Sequence, residues 1–76
     1  MKELVAHIAK SLVDQPDQVH VNQTENDDTI ALELSVAQED LGKVIGKQGR
    51  TARAMRSLLA AAAAREDKKS RLDILE

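Results

Sequence analysis

Leu41-Gly42-Lys43-Val44-Ile45-Gly46-Lys47-Gln48-Gly49-Arg50-Thr51-Ala52-Arg53-Ala54-Met55-Arg56 is the stretch that decides how this chain folds. All three glycines of the 76-residue sequence lie in it. Leu41, Val44 and Ile45 precede Gly46 at helical spacing, and Ala52, Met55 and Leu59 follow Gly49 at helical spacing. The stretch therefore reads as helix, short glycine-bounded turn, helix. Gly46 ends the first helix with a positive φ that a residue bearing a Cβ resists. Gly49 lets a second backbone or a ligand approach without a side chain in the way. The second helix begins there with unpaired N–H groups and the positive end of its dipole, a natural place for phosphate.

The charge is as uneven as the glycines. Lys43, Lys47, Arg50, Arg53 and Arg56 put five of the chain's eleven Lys and Arg residues in this window, which holds no acid. The other six bases share the chain with all thirteen acids. The net charge is −2, yet local charge decides whether a polyanion is attracted.

Outward from the turn, the flanking elements are legible from period alone. Residues 3–13 read as a helix with Leu4, Val5, Ile8 and Leu12 on one stripe and His7 and Lys10 off it. Asp14-Gln15-Pro16-Asp17 stops it, because the residue before proline disfavours the α region. Residues 18–25 alternate as a half-buried strand, expected to fray toward Thr24, and 26–28 form a turn without glycine. Residues 29–36 alternate most clearly, with Ile30, Leu32, Leu34 and Val36 on one side. The first helix of the central pair is expected to begin near residues 37–39, with Ser35 and Gln38 as a capping pair and Glu39 and Asp40 at its positive end. The second runs from 49 or 50 to 65. A charged loop at 66–70 leads to a last strand at 71–76. Two helices between the second and third strands make a crossover long enough for parallel pairing. The expected fold is α+β: one two-layer domain over residues 1–76, order α-β-β-α-α-β, with helices on one face of a three-stranded mixed sheet.

Composition removes several functions. There is no cysteine, so disulfides, cysteine-based zinc sites and thiol chemistry are excluded. His7 and His20 lie far apart and read as solvated, so neither a metal nor a cofactor is expected. The first residues are too often interrupted by charge for a signal peptide, and no apolar run approaches the ~20 residues of a membrane span. A cytoplasmic protein is expected. There is no Phe, Tyr or Trp, which removes the stacking platform of many single-strand readers. Between Gly42 and Gly46 three residues intervene where a nucleotide phosphate loop has four, and Gln48 follows Lys47 where that loop has Ser or Thr. No nucleophile–base set is apparent, so an enzyme is not expected.

Val44-Ile45-Gly46-Lys47-Gln48-Gly49-Arg50 resembles the GxxG signature of the KH RNA-binding domain. The longer run from Leu41 to Ala54 and the short length are similar to the KhpA family of bacterial stand-alone KH proteins, and the likeness covers essentially the whole chain. It implies a type II KH fold and binding of short single-stranded RNA; a KH loop clamps about four backbone nucleotides. Carried onto this sequence, Gly46, Gly49 and the backbone at Lys47 and Gln48 meet the sugar-phosphate backbone. Lys47 and Arg50 neutralise phosphates. Val44, Ile45 and Ala52 line an aliphatic floor, and Lys43 and Arg53 stand at the rim. Arg56, Lys68, Lys69 and Arg71 are auxiliary candidates. Aspartate at both Gly46 and Gly49 is expected to abolish RNA retention while the fold persists.

The alanine-rich helix carries a second apolar stripe. Ala52, Met55 and Leu59 face the sheet, whereas Ala54, Leu58 and Ala61 lie roughly 120° away at ~100° per residue. A surface helix of a small monomer needs one such stripe, so a homodimer through Ala54, Leu58 and Ala61 is expected. The resemblance also implies pairing with a larger KhpB-like KH protein, and a role as RNA chaperone or post-transcriptional regulator linked in some bacteria to cell envelope growth and cell shape. The alternative is a protein-interaction KH module with little RNA affinity of its own.

Overall fold

The computed structural model describes residues 1–75, and the last strand's expected final residue, Glu76, lies outside the described residues. Helix α1 spans Lys2–Leu12, strand β1 His20–Glu25, strand β2 Thr29–Ser35, helix α2 Leu41–Ile45, helix α3 Arg50–Ala64 and strand β3 Lys69–Ile74. Single helical turns at Pro16–Gln18, Gln38–Asp40 and Lys47–Gly49 join them. The order is the expected α-β-β-α-α-β.

β2 lies at the centre of the sheet. It pairs antiparallel with β1, from His20 opposite Ser35 to Glu25 opposite Ile30, and parallel with β3, from Thr29 opposite Lys69 to Leu34 opposite Ile74. The alternation fixes which face is covered: Ile30, Leu32 and Leu34 are buried, and so are Val21 and Leu72 on the flanking strands. Val5 and Ala9 of α1, Val44 of α2 and Met55, Leu59 and Ala63 of α3 meet them in one core. At about 25 cal/mol per Å² of apolar surface, a core built from aliphatic side chains alone holds so short a chain together.

Several boundaries differ from the sequence reading. β1 starts at His20, not residue 18, because Pro16 suits the first position of a helical turn and draws Asp17 and Gln18 into it. β1 does not fray at Thr24; it pairs through Glu25. β3 starts two residues early, where the Lys69 N–H donates to the Asp28 carbonyl at 2.7 Å. Among the described residues, Ser35 and Gln38 form no cap: the Gln38–Asp40 turn follows Ala37, and α2 itself is only five residues long.

Candidate nucleic-acid interface

α2 ends at Gly46, whose φ of 78° and ψ of 169° lie where an L side chain does not fit. The Gly46 N–H closes the helix on the Gly42 carbonyl at 2.8 Å. One turn follows, in which the Gly49 N–H donates to the Gly46 carbonyl at 3.1 Å. Gln48 (φ 57°) and Gly49 (φ 73°) are both left-handed, and α3 begins at Arg50.

The two glycines do different work. A Cβ on Gly46 would sit 2.7 Å from Thr51 Cβ and 2.8 Å from Thr51 N, so Gly46 is bare because α3 packs against it. A Cβ on Gly49 would meet nothing within 4 Å among the described residues, so Gly49 leaves the outer side of the corner open. This bears on the double-aspartate variant: aspartate at Gly46 overlaps Thr51, so Thr51 or the start of α3 must shift, and a loss of stability is expected alongside any loss of RNA retention.

The cations divide sharply. Lys47, Arg50 and Arg53 are exposed, and among the described residues none of them pairs with a carboxylate. The nearest internal partner is the Gln48 amide oxygen, 3.4 Å from an Arg50 nitrogen. Lys43 is not a free rim cation: its ammonium contacts the Asp14 carboxylate and lies 3.4 Å from Asp40 Oδ1. The Asp14 hydrogen bond comes first among the causes that raise its pKa above the usual lysine value, against the opposing pull of desolvation. Arg56 donates twice to the Leu72 carbonyl, at 3.3 and 3.2 Å, and so caps the free edge of β3.

The auxiliary cations are not brought to the corner. α3 is fifteen residues long, or about 22 Å at 1.5 Å per residue, and Lys68 and Lys69 lie past its far end. Lys68 bonds the Glu25 carboxylate at 2.5 Å, and the main-chain N–H of Lys69 holds that residue to the β1–β2 turn, away from the corner. Arg71 is exposed beside buried Leu72, so it points to the opposite sheet face, where it pairs with Asp73 at 3.3 Å.

The expected aliphatic floor also needs correction. Val44 is 0% exposed and Ala52 3%, so both are core residues that carry the corner from beneath. Ile45 alone of the three is half-exposed. Ala54, Leu58 and Ala61 all lie on the outer face of α3, with Leu58 53% exposed; Leu58 and Ala61, but not Ala54, border an open depression with Ala62, Arg65 and Glu66.

Sequence reasoning missed Asp40. Its carboxylate is 1% exposed and accepts the backbone N–H groups of Asp14 (3.2 Å) and Gln15 (3.0 Å). Burial alone would raise its pKa; these two N–H bonds, and then Lys43, overcome that and hold it below the usual carboxylate range. The available signal was spacing: Asp40 lies four residues before Val44, on the helix face that turns inward. Among the described residues, no group of His, Asp and Glu could hold a metal, and no helix is long and apolar enough to cross a membrane.

Residues 2–74 match the family model described as "KhpA/KhpB, KH domain". The chain is 57% identical to the RNA-binding protein KhpA of Clostridium perfringens over 75 residues, 99% of this chain and 100% of the relative. It is 53% identical to the RNA-binding protein KhpA of Halalkalibacterium halodurans over the full length of both. The RNA-binding protein KhpA of Chlamydia trachomatis is 49% identical over the whole chain and 97% of the relative. No solved structure gives a significant match. With the helix–glycine corner–helix in place and the likeness running from end to end, the chain belongs to the KhpA/KhpB KH-domain family.

Proposed function

We propose that the chain binds short single-stranded RNA at the Gly46–Gly49 corner. The observation that carries this reading is the coincidence of bare, outward backbone with three cations, Lys47, Arg50 and Arg53, that are unpaired among the described residues. The names of the relatives, RNA-binding proteins of nearly equal length, support it. Gly46 and Gly49 bring main chain against ribose-phosphate, Lys47 and Arg50 neutralise phosphates, Arg53 flanks them and Ile45 supplies aliphatic contact to a base.

Phosphate contacts position a strand and carry little sequence information. Without aromatic stacking, binding is weak and tolerant of sequence. Such a grip suits an RNA chaperone or post-transcriptional regulator in the cytoplasm. Three phosphate contacts give a log–log salt slope of about −2 on a single strand. Anisotropy of a short labelled oligouridine across a salt titration measures it. Lys47→Glu with Gln48→Asp is the informative variant, because both side chains are exposed and aspartate is tolerated at the left-handed Gln48 position better than most residues. Affinity is expected to fall about tenfold or more, with a shallower slope. A variant that binds like the parent would show that RNA lies elsewhere or does not bind.

The outer stripe of α3 supports self-association, or pairing with a KhpB-like KH protein. Ala54 and Ala61 allow close approach of a second helix, and Leu58 offers the apolar area. Two corners on one assembly would raise avidity for a single RNA. Ala61→Lys is expected to give a monomer in sedimentation with its circular dichroism unchanged. A parent that is already monomeric leaves the stripe for a different partner.

A further inference from the structure

We propose that Lys43 and Asp40 are positioning residues for the corner, and that the phosphate-contacting cations are Lys47, Arg50 and Arg53 without Lys43. This rests on the RNA-binding reading of the corner. Sequence alone groups Lys43 with the other cations; the structure separates it.

α2 is too short to hold itself. Five residues make about one and a half turns, far below the length at which an isolated helix persists. Its direction is therefore set by what grips it. One grip is the core, in which Val44 is fully buried and against which Leu41 packs. The other is at the N-terminal end, where buried Asp40 binds the backbone of Asp14 and Gln15 at 3.2 and 3.0 Å. The Gln15 side-chain amide adds a 2.7 Å bond to Glu39. The loop after α1 is thereby fastened to the first turn before α2.

Lys43 closes this fastening from outside. It spans Asp14 on the loop and Asp40 on the helix turn, so its one charge neutralises the buried carboxylate and ties the two segments together. Gly46 lies at the other end of α2, about 9 Å from Asp40 at the helical rise of ~1.5 Å per residue. A small pivot at the Asp40 end displaces Gly46 relative to Thr51, where a Cβ would already overlap. The corner tolerates little movement, so loosening the fastening changes its shape. A phosphate in place of Asp14 would leave that carboxylate and the buried Asp40 without their cation.

The test compares Lys43→Met, Lys43→Arg, Asp14→Asn and Lys47→Met. Two measurements are made on each: the salt dependence of oligouridine binding, and amide hydrogen exchange at Gly46 and Gly49. Lys43→Met is expected to weaken binding about three- to tenfold with the salt slope unchanged, and to speed exchange at both glycines. Lys43→Arg, which keeps the ion pairs, is expected to restore both. Asp14 is an exposed side chain, 79% accessible, so Asp14→Asn folds and shows the same changes at smaller size. It decides the matter if Lys43→Met does not fold. Lys47→Met is expected to flatten the slope by about 0.7 with exchange unaltered.

If Lys43→Met flattens the slope as Lys47→Met does and leaves exchange alone, Lys43 is a phosphate ligand and the proposal is overturned. If Asp14→Asn changes neither measurement, the fastening does not govern the corner. If Lys47→Met also changes neither affinity nor slope, the fault lies with the RNA-binding reading, not with the assignment of Lys43.

Discussion

The two ends of α3 carry similar sequence chemistry and opposite structural roles. At the N-terminal end, Lys47, Arg50 and Arg53 surround a turn with left-handed residues and stand unpaired among the described residues. At the C-terminal end, Arg65, Lys68 and Lys69 surround another turn with a left-handed residue, Asp67. There, however, Lys68 is bonded to Glu25 and the acids Glu66 and Asp67 share the loop; Lys69 is held to the β1–β2 turn by its main-chain N–H alone, and among the described residues its ammonium and the Arg65 guanidinium make no ion pair. The same split divides Lys43 from Lys47, four residues apart. A polyanion responds to charge that is unpaired and beside accessible backbone, not to the count of basic residues in a window.

The largest blow to this contrast is a substitution at Gly46. Gly46→Ala places a Cβ against Thr51 in a backbone region that L residues avoid. Strain and overlap together cost about 2–5 kcal/mol, against a total stability of roughly 4–11 kcal/mol for a chain of this length. Gly49→Ala meets only the left-handed penalty, about 1–2 kcal/mol. Urea unfolding of the two variants measures the gap. Equal losses would mean that Thr51 moves freely and that the corner is not packed from within.

Next in size is a charge exchange at each end. Lys47→Glu with Arg50→Glu is expected to weaken oligouridine binding more than tenfold and flatten its log–log salt slope by about 1.4, at roughly 0.7 per contact. Lys68→Glu with Lys69→Glu, the same change of charge, is expected to alter affinity less than about threefold, since only distant screened charge changes. A comparable loss at the far end would place RNA along the whole of α3.

Why one end could be read in sequence and the other could not follows from range. The corner was visible in Gly46, Gly49 and the helical spacing of Leu41, Val44, Met55 and Leu59, all local features. The order of elements was visible in the alternation of Ile30, Leu32 and Leu34. The partners of the cations were not: Lys43 meets Asp14 across 29 positions and Lys68 meets Glu25 across 43. Val44 and Ala52 failed as a floor for a related reason. Apolar period says that a face is covered, but not whether core or ligand covers it. Asp40 escaped because a carboxylate is read as solvent-facing until its hydrogen-bond donors are seen.

Acid should act on the two ends unequally. Asp40 and Glu25 both have pKa values held below the usual range, Glu25 chiefly by its hydrogen bond from Lys68. A depressed folded-state pKa contributes stability that is present above the unfolded value, near 4, and lost as pH falls through the folded value. The stability gap between parent and Asp40→Asn is therefore expected to narrow from neutral pH to about pH 3. The Glu25→Gln gap should narrow too, but from a smaller starting value, because that carboxylate is 45% exposed and its ion pair is screened. An Asp40→Asn gap that is constant with pH would mean that the carboxylate acts there through shape alone.

The smallest effect isolates the backbone from the charge. α3 ends with the Lys68 N–H on the Ala63 carbonyl at 3.0 Å and the Asp67 N–H on Ala64 at 3.1 Å, a closure that requires a left-handed residue at position 67. Asp67 adopts φ 58° there, with its negative charge at the negative end of the helix dipole. Asp67→Gly removes both penalties and is expected to gain up to about 1 kcal/mol, partly offset by the freedom of glycine in the unfolded chain. Asp67→Asn removes the charge while keeping a side chain tolerant of this conformation, and should gain a few tenths of a kcal/mol. Neither should change oligouridine binding more than about twofold, since position 67 lies a helix length from the corner. Gln48, left-handed at φ 57° in the corner itself, gives the complementary case. Gln48→Gly should gain similar stability, but loosens the backbone that meets ribose-phosphate and so weakens binding. Stability and affinity moving together at position 48 would mean that the corner is not preformed for its ligand, and the distinction between the two ends of α3 would then rest on charge alone.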